Sequence, residues 1–271
     1  MLEILKAFIL GVVEGFSEWL PISSTGHMIL VDEFLKLDVS PEFMKMFLVV
    51  IQLGAIMAVV VIYFHKLNPF SARKTVKQKR ATWEIWFKVV VACVPAAVIG
   101  ILFEDAIDHA LGSPFVVAAM LIVYGVLFII VENRNRGMKP RVKKFAQFTY
   151  KDALIIGCLQ VLALIPGTSR SGVTIVGGIF FGLSRTVAAE FTFFLSIPVM
   201  FGASLLKLIK FGLAFSLMEV IIMVVGCFTA FIVSIITIKF LMNYIKTNDF
   251  KVFGYYRIVL GILVLAYFLI K

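Results

Sequence analysis

Glu14 and Glu18 lie four residues apart in ILGVVEGFSEWLPISSTGHMIL (9 to 30), a stretch that would otherwise read as a membrane helix. Helical spacing puts both carboxylates on one face, where like charges repel. In a low-dielectric setting each must be protonated, paired or bound to a cation, so the pair calls for a partner: Arg170, a divalent metal or a shared proton. After Pro21 come the hydroxyls of Ser23, Ser24 and Thr25, a flexible Gly26 and His27. Ser and Thr at the start of a helix commonly cap it, and at least one of the three is expected to do so. His27 offers more, because an imidazole within hydrogen-bond reach of carboxylates can act as nucleophile or as general acid and base near neutral pH. His65, beside Lys66, and His109, in an acidic loop, lack such neighbours and are expected at the surface.

A second stretch, PGTSRSG (166 to 172), sets Arg170 between Ser169 and Ser171 at the start of a helix, next to Gly167, Thr168 and Gly172. Backbone N–H groups, hydroxyls and a guanidinium gathered there suit a tetrahedral oxyanion. The pattern is not a Walker loop, since G-x-x-x-x-G-K-[ST] does not occur. An anion site here, with carboxylates and an imidazole at the first stretch, makes phosphate the leading ligand. Arg185, in GLSRT at a helix boundary, reads instead as an interfacial charge on the cytoplasmic side.

The elements that position these residues must be membrane helices. Of 271 residues 61% are hydrophobic and 15% charged, with a mean hydropathy of +1.03, outside the range of soluble domains. The net charge of +10 does not point to nucleic acid: 6 of the 26 basic residues fall in 66 to 80 and 7 in 134 to 151, short loops of the kind that face the cytoplasm and anionic lipid. Six apolar runs, roughly 44 to 65, 84 to 103, 115 to 131, 187 to 209, 215 to 240 and 254 to 270, can each cross about 30 Å of hydrocarbon. Cys93, Cys158 and Cys227 stand singly in apolar stretches, which speaks for packing rather than disulfides or a metal cluster. The N-terminus carries Glu3 and Lys6 rather than a basic leader and cleavage site, so the first residues are expected in the mature chain.

Two further apolar regions, 1 to 37 and 152 to 183, are broken near the middle, at LPISSTGH (20 to 27) and IPGTSRSG (165 to 172). Pro followed by small residues cannot carry a helix ladder on, and unpaired backbone survives at membrane depth only in protein or beside a wet cavity. Each region is expected to be a re-entrant hairpin that returns to the side it entered. A shift of 146 residues lays Gly11 on Gly157, Glu14 on Gln160, Ser23 on Ser169, Thr25 on Ser171 and Gly26 on Gly172, with Pro21 and Pro166 one residue out of step. The shift then drifts, with Gly54 on Gly202, Glu84 on Glu219 and Gly125 on Gly261.

The expected fold is an all-α integral membrane protein, one polytopic domain over 1–271 made of two inverted-topology repeats, 1–135 and 150–271. Each repeat is a re-entrant helix hairpin plus three transmembrane helices, and an odd count of crossings inverts the second repeat. Placing 66 to 83 and 132 to 151 inside puts the acidic stretch FEDAIDHALGSP (103 to 114) and both termini outside. Lys207, Lys210 and Lys271 then fall on the outer side, against the charge rule. The two breaks meet near the midplane.

Through EGFSEWLPISSTGH (14 to 27) and PGTSRSG (166 to 172), and over essentially its whole length, the chain resembles the bacterial undecaprenyl-diphosphate phosphatases of the bacitracin-resistance type. The resemblance implies an enzyme of the bacterial cytoplasmic membrane whose site opens to the outer face. It removes the terminal phosphate of the C55 isoprenoid diphosphate and so recycles the lipid carrier of cell-wall precursors. It ties Glu14, Glu18, Ser24, Thr25, His27, Ser169 and Arg170 to activity, and it implies a divalent cation, Mg or Ca. In that reading Glu14 or Glu18 binds the cation, Arg170 with Ser169 and nearby amides holds phosphoryl oxygens, and Glu18 orients or deprotonates the nucleophile. The nucleophile is His27, Ser24 or water. Ser23, Thr25, Gly26, Gly167, Thr168, Ser171 and Gly172 complete the expected substrate cradle.

Expected partners are undecaprenyl diphosphate, related isoprenoid diphosphates and membrane lipids, with no nucleic acid and with homodimer formation left open. Lipid phosphatases of the phosphatidic-acid type need a His six residues after the Arg, where Val176 stands. A transporter or flippase of a phosphate-bearing lipid or anion shares the broken-helix architecture and is the alternative; phosphate release separates the two.

Overall fold

The computed structural model describes residues 1–212 and 214–271, without the side chains of residues 104, 105 and 108. The acidic groups expected on the outer face, Glu104, Asp105 and Asp108, therefore lie outside the described residues. The chain forms α1 (Leu2–Ser17), α2 (Ser24–Phe34), α3 (Pro41–Ile62), α4 (Phe64–Leu67), α5 (Val76–Leu111) and α6 (Pro114–Arg134). It continues with α7 (Tyr150–Gln160), α8 (Arg170–Phe180), α9 (Arg185–Phe211), α10 (Leu217–Tyr244) and α11 (Lys251–Ile270).

Among the described residues six helices, α3, α5, α6, α9, α10 and α11, are long and apolar enough to cross a membrane. Their outward faces carry bare apolar side chains, such as Phe228 and Ile236 of α10, exposed by 65% and 64%. Apolar surface on that scale is stable against lipid and not against water. The protein is a multi-pass membrane protein.

Side-chain caps set the ends of these helices. Ser40, Ser113, Ser184 and Ser216 each accept the third amide of the helix that follows, with Pro41 and Pro114 in the first turn of α3 and α6. The expected run at 84 to 103 is too short. Thr75 and Gln78 form a reciprocal cap, 2.9 Å and 3.3 Å, that starts α5 at Val76, and the helix runs on through 103–111, which had been expected as loop. Hydropathy marks the part of a helix that lies in lipid and is blind to its polar extensions. His65 and His109 are exposed, as expected. Cys93 and Cys227 are partly buried, whereas Cys158 is exposed on α7.

α1 packs on α10, and α7 on α5, while α3 contacts both α9 and α10, and α6 lies along α11. Both short helices approach too closely for a side chain. A Cβ at Gly11 would stand 2.6 Å from the Gly226 carbonyl oxygen, and one at Gly157 would stand 2.5 Å from that of Ala92. An aromatic core of Trp19, Phe148, Phe191, Phe193 and Phe194 fills the space beside α9.

The feet of the two broken regions are tied. Lys6 donates to the Lys36 carbonyl (2.5 Å), and the Asp38 amide donates to Glu3 (2.8 Å), so the start of α1 lies beside the end of α2. Arg141 donates to both the Asp152 carboxylate (2.5 Å) and the Phe181 carbonyl (3.3 Å), and Val142 bridges to Leu183, so the start of α7 lies beside the end of α8. Burial pushes the Asp152 carboxyl up, but Arg141 and Thr149 outweigh it and hold the group below the ordinary carboxylate range. α11 connects the two feet: the Phe250 amide at its start donates to Glu132, and Lys271 at its end pairs with Glu33 (2.7 Å).

Candidate functional site

Each break is made by a proline turn followed by a serine in an unusual backbone state. Glu18 still donates its amide to the Glu14 carbonyl (3.0 Å), which keeps both carboxylates on one face of α1, and Pro21 then ends the ladder. Ser23 has φ 73° and Ser169 has φ 69°, the only non-glycine residues with positive φ among those described. A side chain in that region carries strain, which folded proteins keep where surrounding structure holds it for a purpose. Each hydroxyl then caps the helix that follows: Ser23 Oγ accepts the Gly26 amide (3.4 Å) and Ser169 Oγ accepts the Gly172 amide (3.1 Å). The first amides of α2 and α8 have no intrahelical carbonyl to bond.

The breaks meet at Glu18. Arg170 Nη2 donates to Glu18 Oε1 at 2.7 Å, and Ser24 Oγ donates to Glu18 Oε2 at 2.8 Å. Ser171 Oγ reaches the Glu18 carbonyl at 3.1 Å, so a hydroxyl of the second break also holds the backbone of the first. Arg170 is steadied further by the Thr192 carbonyl (3.5 Å) and Met200 Sδ (3.3 Å). Both partners of the ion pair are largely buried, at 12% and 9% side-chain exposure, so neither charge has water to fall back on.

The other expected residues are placed less uniformly. Glu14 is buried one turn before Glu18, and its Oε1 has no hydrogen-bond partner among the described residues. Thr168 is buried with an unpartnered hydroxyl, and Thr25 is exposed. Gly26 faces Leu121, Gly167 (φ 89°) lies against the Val117 backbone, and Gly172 lies against Arg257. His27 is not joined to Glu18 by any hydrogen bond among the described residues. Its Nδ1 is 2.7 Å from the Ser23 carbonyl and its Nε2 is 2.7 Å from the Tyr256 hydroxyl, with the two rings stacked at 5.6 Å. A carbonyl only accepts, so Nδ1 carries the proton in the neutral ring and Nε2 keeps its lone pair for Tyr256.

Sequence reasoning missed Tyr256 and Arg257. Arg257 is fully buried and donates only to carbonyls, those of Pro21, Met120, Leu121, Gly167 and Thr168, at 2.9 to 3.5 Å. The available signal was an arginine inside an apolar run, which is costly enough to imply a task. Arg185, expected at an interface, pairs with the buried Glu132 through two hydrogen bonds of 2.9 and 2.5 Å. It lines a cavity of about 730 Å³ together with Arg134, Lys139, Arg141 and Lys246, none of which belongs to either break.

Unpartnered buried atoms gather at the breaks. Glu14 Oε1, Trp19 Nε1, both amide atoms of Gln160 and Thr168 Oγ1 all belong to the two breaks or to the helix ends that lead into them. Buried polar atoms are expensive without partners, so such a cluster suits a site completed by a polar ligand. Two helix N-termini, a guanidinium and three hydroxyls favour an oxyanion, and two carboxylates can bind a cation or take a proton.

The model for the bacitracin resistance protein BacA family matches residues 7–263. A protein of Desulfitobacterium hafniense called undecaprenyl-diphosphatase is 61% identical over 269 residues, 99% of this chain and 97% of that one. One of the same name from Acetivibrio thermocellus is 62% identical over 269 residues, 99% of each chain. Undecaprenyl-diphosphatase 1 of Clostridioides difficile is 61% identical over 268 residues, 99% of this chain and 97% of that one.

Proposed function

We propose, from the premise that this chain belongs to the bacitracin resistance protein BacA family, how its two breaks work as one phosphatase site. The chain is an undecaprenyl-diphosphate phosphatase, hydrolysing the isoprenoid diphosphate to the monophosphate and inorganic phosphate. The observation that carries the site assignment is the joint between Glu18 and Arg170, which makes one polar centre from residues 152 positions apart.

The two repeats are inverted, each with a re-entrant hairpin at 1–37 and 152–183. Three observations support this. The feet of each hairpin are tied to each other, as a return to the entry side requires. α11 has 20 residues, about 30 Å, and one end sits at the second hairpin's side, by Glu132, while the other sits at the first hairpin's foot, by Glu33. The cross-packing of α1 on α10 and α7 on α5 is what exchange between two like halves produces. The basic loops lie on the second hairpin's side, so the positive-inside rule places that side in the cytoplasm of the bacterial inner membrane. The first hairpin then enters from the outer face, where the substrate headgroup would reach the site while its tail stays in lipid.

Arg170, Ser169 and the first amides of α2 and α8 hold the terminal phosphate, and fixed donors of this kind supply most of the catalysis of phosphoryl transfer. Ser24 is the attacking group, because its hydroxyl already donates to Glu18 Oε2. Its oxygen bonds to the terminal phosphorus as its proton passes to Glu18. The bond from phosphorus to the bridging oxygen breaks, and the electron pair leaves with the lipid monophosphate. Water then attacks the phosphoserine, giving a proton to His27 Nε2 once Tyr256 has left it; the bond from phosphorus to Ser24 oxygen breaks, Ser24 takes its proton back from Glu18, and inorganic phosphate departs.

The donors present fit a divalent cation, Mg or Ca. Glu14 and Glu18 offer hard oxygens, and Glu14 Oε1 is buried with no partner. Among the described residues no group of three or more His, Cys, Asp or Glu forms a complete metal site, so the diphosphate would supply the remaining oxygens. A cation held there would neutralise charge on the diphosphate. Purified protein given an isoprenoid diphosphate and Mg should release inorganic phosphate, and a chelator should stop it. Lipid flux in liposomes without phosphate release would identify a carrier instead.

A further inference from the structure

Among the described residues Arg257 is the one cationic side chain that touches both breaks without belonging to either. Nη1 donates to the Pro21 carbonyl of the first break at 3.3 Å, and Nη2 donates to the Gly167 and Thr168 carbonyls of the second, each at 2.9 Å. Nε and Nη2 also reach the Leu121 and Met120 carbonyls of α6 at 3.5 and 3.4 Å. The side chain is fully buried, and among the described residues no carboxylate pairs with it. An arginine is costly to bury, and an apolar residue would pack α11 on α6 at less cost, so packing alone does not explain it.

We infer that Arg257 is a positioning residue for the phosphatase reaction, fixing the two breaks in register and aiming the Ser169 amide of the second break at the phosphoryl group. The inference rests on the phosphatase reading above. No cis peptide occurs among the described residues, and a trans peptide carries its N–H opposite its C=O. Holding the Thr168 carbonyl on the guanidinium therefore turns the Ser169 N–H to the opposite side, away from Arg257. The Pro21 contact ties the first break to the same plane of donors. A planar fork of five N–H groups can serve five carbonyls from three segments at once, whereas a lysine ammonium has only three N–H donors. The charge left uncompensated behind the cradle also favours an anion in front of it.

Arg257→Lys in the full-length protein is the first test. Phosphate release and hydrogen exchange are read on the same monodisperse sample, well below its unfolding temperature. The expected result is a fall in kcat of about 10²-fold, the scale of a misplacement near 1 Å, with KM within about threefold. Exchange should rise in peptides covering both 18–27 and 165–174 while 41–62 stays unchanged. Should that variant not fold, Gly172→Ala serves, because its Cβ would stand 2.8 Å from Arg257 Nη1, the donor to Pro21. It should cost about tenfold or more in kcat in a folded protein. A folded variant of either kind with parental kcat, or with loss accounted for by its unfolded fraction, overturns the inference, as does exchange that rises in one break alone. If the parent protein released no phosphate, the phosphatase reading would fail, and coupled exchange at the two breaks would still decide whether Arg257 registers them.

Discussion

The two breaks share a backbone and divide the chemistry. Both end a short helix, pass through a proline and place a serine near φ 70° whose hydroxyl caps the next helix. Where the first has Glu14 and His27, the second has Gln160 and Val173, and where the first has Ser24, the second has Arg170. One scaffold thus appears twice with opposite charge character, acidic at one copy and cationic at the other. Like backbone geometry at the two breaks leaves their side chains free to diverge, and it is the divergent side chains, Glu18 and Ser24 from one and Arg170 from the other, that meet.

The largest effect should come from breaking the joint. Glu18→Gln or Arg170→Gln alone should lower phosphate release by at least about 10²-fold and destabilise by about 3–5 kcal/mol, because each leaves a buried charge unpaired. The double variant should regain most of the stability and none of the activity. Thermal unfolding beside phosphate release checks this, and a double variant no more stable than either single would mean that the pair is not the joint.

Next is the exchange of chemistry between copies. Glu14→Gln gives the first break the residue of the second. The protein should fold, need more cation and lose at least about tenfold in activity, the scale on which residues that support a metal ligand act. Cation titration of phosphate release measures it, and an unchanged cation requirement would remove Glu14 from the cation site.

Smaller effects should fall equally on both copies. Ser23→Ala and Ser169→Ala lose a cap and leave a Cβ at positive φ, at a cost of about 1–2 kcal/mol each, whereas Gly at either position costs a few tenths. Unequal losses would show that the two serines match in shape without matching in energy.

The smallest effect is expected at the foot of the second broken region. The Asp152 carboxyl is held below its ordinary range, so it stabilises the fold above its unfolded pKa of about 4, and that contribution is lost as pH falls through the lower folded value. Asp152→Asn should therefore lower the melting temperature at pH 7, and the gap should close as the pH is taken below about 4. A gap that persisted in acid would assign the effect to lost hydrogen bonds alone.

Much of this arrangement can be read from residue order, because it depends on local rules. Lipid-crossing lengths, proline breaks and capping serines announce themselves, and the 146-residue shift lays Ser23 on Ser169, the two strained residues. The meeting of Glu18 with Arg170 follows from the same logic, since neither charge tolerates lipid alone. What stays hidden depends on distant partners. His27 stacks on Tyr256, 229 positions away, and Arg257 is satisfied by backbone carbonyls, which carry no side-chain signature. The polar ends of α5 escape a reading by hydropathy because they lie beyond the lipid-like part of the helix.

The most direct test is a structure of the protein bound to a non-hydrolysable isoprenoid methylene-diphosphonate. The terminal phosphonate should lie between the breaks, in contact with Arg170 and with the first amides of both α2 and α8, and near Ser24. A phosphonate bound instead in the cavity lined by Arg134, Lys139, Arg185 and Lys246, with the Glu18 and Arg170 pair undisturbed, would contradict it.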